Sequence, residues 1–187
     1  MQEEHLREKQ ERAFRKAKTT RASGKRVRFG GFRRRFCQKT MARYLIVDAH
    51  SVIHAWPELR TLHFQRMVLA RDALLRALAG YHDLSGVRVV VVFDGQGARP
   101  SGTTEPGGIQ VFYSGGGMTA DGVVERLVAR YAREHEITVA TDDQMEADTA
   151  TGFGATCVST DLLRMMVRES DAGLERELKR LRREAGR

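Results

Sequence analysis

The chain has 187 residues, of which 41% are hydrophobic and 30% charged, and its formal net charge is +8. This balance fits a soluble globular domain with an appendage and excludes a disordered chain. No run of about 18 apolar residues is present, which excludes a transmembrane helix. The two cysteines, Cys37 and Cys157, are too few for a disulfide scaffold and lack metal-ligand spacing, so a reducing cytoplasm is the expected location.

The charge is unevenly placed. Residues 1–41 hold 14 Lys/Arg and 4 Asp/Glu, a balance of +10, whereas residues 42–187 hold 18 and 20, a balance of −2. The chain therefore divides into a basic N-terminal extension expected to have no fold of its own (1–41), a domain (42–170) and a basic amphipathic helix (171–187). In the extension Arg33, Arg34 and Arg35 lie between Phe32 and Phe36. Guanidinium groups beside aromatic rings suit RNA, because both stack on bases. Two other readings stand beside this one: a tail with weak affinity for any polyanion, and a start site placed upstream of a natural domain start at Met41. The acidic residues Glu3, Glu4, Glu8 and Glu11 disfavour an organellar presequence, and no apolar core of a secretory signal follows the charges.

From residue 42 short apolar runs alternate with amphipathic stretches. Residues 44–47 read as a buried strand ending at Asp48. Residues 66–82 have helical spacing. Residues 87–93 contain four consecutive valines and end at Asp94. A long Gly- and Pro-rich loop, 95–108, precedes a strand at 109–113. Residues 119–135 form an amphipathic helix, 137–140 and 156–158 two further strands, and 160–169 and 171–185 two helices separated near Gly173. Continuous apolar strands alternating with helices predict a three-layer α/β sandwich around a mostly parallel sheet of about five strands.

Ligands of such sheets bind beyond the carboxyl ends of the strands. Asp48, Asp94 and the Asp142–Asp143 pair follow three strands, and Asp121 lies in the first turn of the helix after a fourth. A single Asp at a strand end is ordinarily a helix cap or a turn residue. Four at one edge repel one another unless a cation intervenes. Hard oxygen donors without a Cys/His set favour Mg²⁺ or Mn²⁺. Glu125 follows Asp121 by one helical turn and is either a second ligand or a solvated charge.

The segment Leu45-Ile46-Val47-Asp48-Ala49-His50-Ser51-Val52-Ile53-His54-Ala55-Trp56-Pro57-Glu58-Leu59 resembles the opening of the YacP-like NYN domains. Ala70-Arg71, Val92-Phe93-Asp94, Thr119-Ala120-Asp121 with Glu125-Arg126, Val139-Ala140-Thr141-Asp142-Asp143 and Gly152-Phe153-Gly154-Ala155 match further blocks in the family's order, over about residues 42–170. The resemblance implies a PIN-like fold and metal-dependent endoribonucleolytic cleavage of mRNA in a ribosome context. The matching acidic positions are Asp48, Asp94, Asp121 and Asp143, with Asp142 in place of the family's Ser. Arg126 and the loop's Arg99 are the RNA-binding candidates of the domain.

The family's Asn is Ser51 here, and its Gly-Tyr is Ala49-His50. Ser offers one hydroxyl where Asn offers a donor and an acceptor; it can still orient a water or a phosphate oxygen. His50 and His54 are candidates for phosphate contact, with a turn residue and a helix-surface residue as the plainer readings. Trp56-Pro57 is expected to pack a helix start. The rival functions are a non-catalytic RNA- or ribosome-binding protein with a degraded site, and a phosphohydrolase for small esters. The haloacid form of the latter requires a second Asp where His50 stands.

Overall fold

The computed structural model describes residues 41–95, 103–104, 108–115 and 117–185. The chain runs β1 (Arg43–Asp48), α1 (Ala49–Ala55), α2 (Pro57–Gln65), α3 (Met67–Ser85), β2 (Arg88–Phe93), β3 (Thr103–Thr104), β4 (Gln110–Tyr113), α4 (Ala120–Tyr131), β5 (Glu136–Ala140), α5 (Gln144–Gly152), β6 (Thr156–Val158) and α6 (Thr160–Ala185). The expected sandwich is present. Five parallel strands are joined at one edge by the antiparallel β3, in the order β3-β4-β2-β1-β5-β6.

The valine-rich strands are apolar throughout because both faces of the sheet are covered. Successive side chains point to opposite faces. Leu45, Val47, Val89, Val91 and Phe93 join a core containing residues of α1, α2, α3 and α6. Tyr44, Ile46, Val90 and Val92 join the core of the other face, with residues of α4 and Ala150 of α5. Neither parity is left for water, which is why no polar alternation marks these strands.

β1 lies at the centre, with β2 and β4 on one side and β5 and β6 on the other. The chain reverses its direction of travel across the sheet here, which makes the carboxyl edge beside β1 the binding crevice of such folds. Register brings the strand ends level: Asp48 pairs with Val92, Val47 with Ala140, and Phe93 with Tyr113.

Three details differ from the sequence reading. α6 is a single helix through Gly173, so residues 171–185 continue the helix that starts at Thr160 and are not a separate element. Leu163 and Val167 anchor its first half in the core, and ion pairs such as Lys179–Glu175 and Arg180–Glu177 lie along its exposed second half. α5 carries too weak an apolar stripe to have been read from periodicity. The long Gly- and Pro-rich loop, in which no strand was read, contributes β3, paired through Thr103↔Val111 and Thr104↔Gln110.

Candidate active site

The end of β1 sets the site. Asp48 is buried and N-caps α1, accepting from the His50 and Ser51 amides at 3.0 and 3.1 Å. A carboxylate is favourable there, beside unpaired amides at the positive end of a helix. Ala49 replaces a glycine without strain, because it is the first residue of α1 and no non-glycine residue has positive φ among the described residues.

β5 supplies the opposite wall. Asp143 N-caps α5, accepting from the Met145 and Glu146 amides at 2.7 and 3.1 Å. Thr141 links the two walls. Its hydroxyl lies 3.3 Å from the Ser51 hydroxyl and accepts from the Asp143 amide at 3.1 Å. Ser51 therefore stands inside the site, tied to both strand ends. Asp142 points elsewhere: it accepts from the Thr160 amide at 2.9 Å and from the Thr160 hydroxyl, fastening β5 to the start of α6. It is a structural cap and not a spare member of the cluster.

Asp94 follows β2. Its Oδ1 accepts from the Ser114 hydroxyl at 2.6 Å and the Gly95 amide at 3.0 Å, and so bridges the ends of β2 and β4. Asp121 sits in the first turn of α4, behind the Thr119 N-cap. Its carboxyl is held above its ordinary value, first by burial and then by the charges of Asp48 and Asp143, with Asp94 adding to them. Asp121 thus lies close enough to Asp48, Asp143 and Asp94 for their charges to act on it.

A fifth carboxylate was missed by sequence reasoning. Glu146, in the first turn of α5, is only 6% exposed. Burial is the main cause that pushes its carboxyl up to about 7; Asp48, Asp121 and Asp143 add to the shift, and the Thr141 side chain opposes it. Both carboxylate oxygens are buried without a well-formed hydrogen bond. Glu125, the alternative named from spacing, is exposed and is not among the groups that shift Asp121.

The donor set is of the hard-oxygen kind that suits Mg²⁺ or Mn²⁺. Among the described residues no three His, Cys, Asp or Glu side chains already converge in a metal-holding arrangement, since Asp48 and Asp143 face their own helix caps. Arg126 is half-buried on α4 with Nη1 lacking a hydrogen-bond partner. Arg33, Arg34, Arg35 and Arg99 lie outside the described residues. Trp56 is buried and donates from Nε1 to the Thr160 carbonyl at 3.0 Å, so it packs the helix junction as expected. No helix among the described residues is long and apolar enough to cross a membrane.

The fold and the site together are a parallel α/β sheet with acids at the carboxyl ends of its central strands. The chain matches the model of the YacP-like NYN domain over residues 45–187, and it belongs to that family. The match extends past the expected limit at 170 and takes in the whole described length of α6. A Bacillus subtilis (strain 168) protein named "Uncharacterized protein YacP" is 31% identical over 141 residues, covering 73% of this chain and 82% of its own. The crystal structure of Rae1 (YacP) from Bacillus subtilis superposes with a TM-score of 0.66 at 31% identity, covering 76% of this chain and 83% of that one. A point mutant of the same protein gives 0.63 at 32% identity, with coverage of 74% and 82%.

Proposed function

We propose that the protein is a metal-dependent endoribonuclease that cleaves RNA, with mRNA in a translation or ribosome context as the substrate. The observation that carries this reading is the gathering of Asp48, Asp94, Asp121, Asp143 and Glu146 at the sheet's carboxyl edge, where burial and neighbouring acids hold the Asp121 and Glu146 carboxyls above their ordinary values. Such a group of acids stores repulsion that a divalent cation relieves. Asp48, Asp94, Asp121 and Asp143 would hold Mg²⁺ or Mn²⁺, and the buried oxygens of Glu146 stand ready beside them. A bound divalent ion supplies charge stabilisation at the phosphoryl oxygens and acidifies a water at neutral pH. Ser51, held between Asp48 and Thr141, orients a water or a phosphate oxygen through its hydroxyl. Ser114 positions Asp94 by donating to it.

One observation favours a second reading, a non-catalytic RNA- or ribosome-binding protein: Asp48 and Asp143 are already occupied as helix caps. Cleavage of an end-labelled RNA in Mg²⁺ and in EDTA, with and without ribosomes, separates the two. The expected outcome is cleavage in Mg²⁺ only, with Asp94→Asn and Asp121→Asn each reducing the rate at least about a hundredfold, the scale of losing one electrostatic group in a site of this kind. Cleavage unchanged by either substitution removes the catalytic assignment.

A further inference from the structure

A row of rings leads away from the carboxylate cluster. His50 follows Asp48 by two residues and donates its amide to the Asp48 carboxylate. Its ring lies 4.3 Å from that of His54, one turn further along α1. His54 lies 5.0 Å from His63 of α2, edge to face, and His63 lies 6.4 Å from Phe64. The row thus begins two residues after Asp48 and ends at the exposed Phe64. Phe64 is 81% exposed, and Met67 and Val68, three and four residues further along, are each 64% exposed. A phenylalanine so exposed adds almost nothing to the core, so folding gives no reason for its ring.

The charges around the row suit an anion. Arg60 is exposed and close enough to His54 to act on its titration. Arg66, also exposed, precedes α3. The acid of this segment, Glu58, is engaged by Arg164 and Arg168 of α6 and does not offset them. The His54 imidazole is held below its ordinary value, first by partial burial and then by His50, His63 and Arg60. Flat rings beside arginines are the combination that binds single-stranded nucleic acid: each base stacks on a π-face while the backbone meets the positive charge.

We propose that His50, His54, His63 and Phe64 form a base-stacking path that carries single-stranded RNA between the carboxylate cluster and the surface of α1 and α2. The path takes its substrate class from the ribonuclease reading above. It concerns binding and not the bond that is cut, so it can be measured where no cleavage occurs.

The test uses the full chain and a fluorescein-labelled single-stranded oligoribonucleotide in EDTA, read by anisotropy. His54→Ala and Phe64→Ala are each expected to weaken binding about fivefold or more, the lower end for loss of one stacked base. Phe64→Trp restores the affinity, whereas Phe64→Leu, apolar but without a ring, does not. His54→Phe keeps most of it. Unchanged affinity in both alanine variants overturns the path. Loss in His54→Phe equal to that in His54→Ala also overturns it, because the imidazole would then act on phosphate and not on a base. If RNA binds through the path and is never cleaved in Mg²⁺, the catalytic reading fails and the path stands. If RNA is cleaved and both alanine variants bind normally, the path fails and the catalytic reading stands.

Discussion

Glu146 is a buried acid among other acids, and its proton is coupled to folding. Its folded value of about 7 lies above its ordinary 4.5. Between these values the folded chain binds a proton that the unfolded chain has released. The stability this contributes is complete below about pH 4.5 and is lost as pH rises through about 7. Glu146→Gln, which cannot ionise, should therefore be more stable than wild type at pH 8, on the order of 3 kcal/mol, and should differ little at pH 4.5. Denaturant midpoints across that range check this; parallel pH profiles for the two proteins would refute it. The same residue shows where the sequence was silent. Asp48, Asp94 and Asp143 were legible because each follows an apolar run that marks a strand's carboxyl end, and Asp121 because it opens the helix after a fourth strand. Glu146 follows Asp143 by three residues, the spacing of a capping box in which the acid reaches back to the cap's own amide. Here that amide already donates to Thr141. Glu146 is released from the capping task and lies inside the cluster, a consequence of a threonine five residues earlier that no local spacing rule contains.

At the scale of elements, α6 differs most from its reading. Gly173 suggested a break because glycine costs about 1 kcal/mol relative to alanine within a helix. That cost is small beside the anchoring of Leu163 and Val167 and the Arg164–Glu58 ion pair, so the helix continues. Gly173 lacks positive φ, and a Cβ there meets nothing within 4 Å. Gly173→Ala should thus stabilise the protein by about 0.5–1 kcal/mol, measured as a higher urea midpoint with an unchanged slope. A neutral or negative effect would mean that the helix bends at this position in solution. The strands were easier to read, because a sheet covered on both faces leaves an uninterrupted apolar run. β3 has only two residues, both β-branched threonines, and a run so short carries no periodic signal; its pairing with β4 marks it as a strand. α5 buries only Glu146 and Ala150, too little for a periodic signal.

For the whole molecule, the order of the strands and the distribution of charge act in opposite directions on an RNA ligand. The sheet gathers acids at the edge where the proposed reading has the substrate enter, in a domain whose own balance is −2. A polyanion approaching that edge is repelled before any cation or ring can hold it. The +10 of residues 1–41 reverses the sign of the chain's net charge, and with it the sign of its long-range field. Each phosphate neutralised by those side chains releases counterion, so affinity falls with salt at a slope of about 0.7 per phosphate contact on a single strand. The full chain should therefore lose affinity for single-stranded RNA steeply between about 50 and 200 mM salt. A chain starting at Met41 should bind more weakly at low salt, with a shallower slope, so that the two curves converge as salt rises. Substitution at Phe64 should displace both curves by a similar factor, because stacking does not depend on the ionic atmosphere as phosphate contact does. Anisotropy titrations of the two chains over a salt series decide the matter. Equal slopes would show that the basic segment takes no part in RNA binding, and that Arg60, Arg66 and the rest of the domain's own cations overcome the acidic edge unaided.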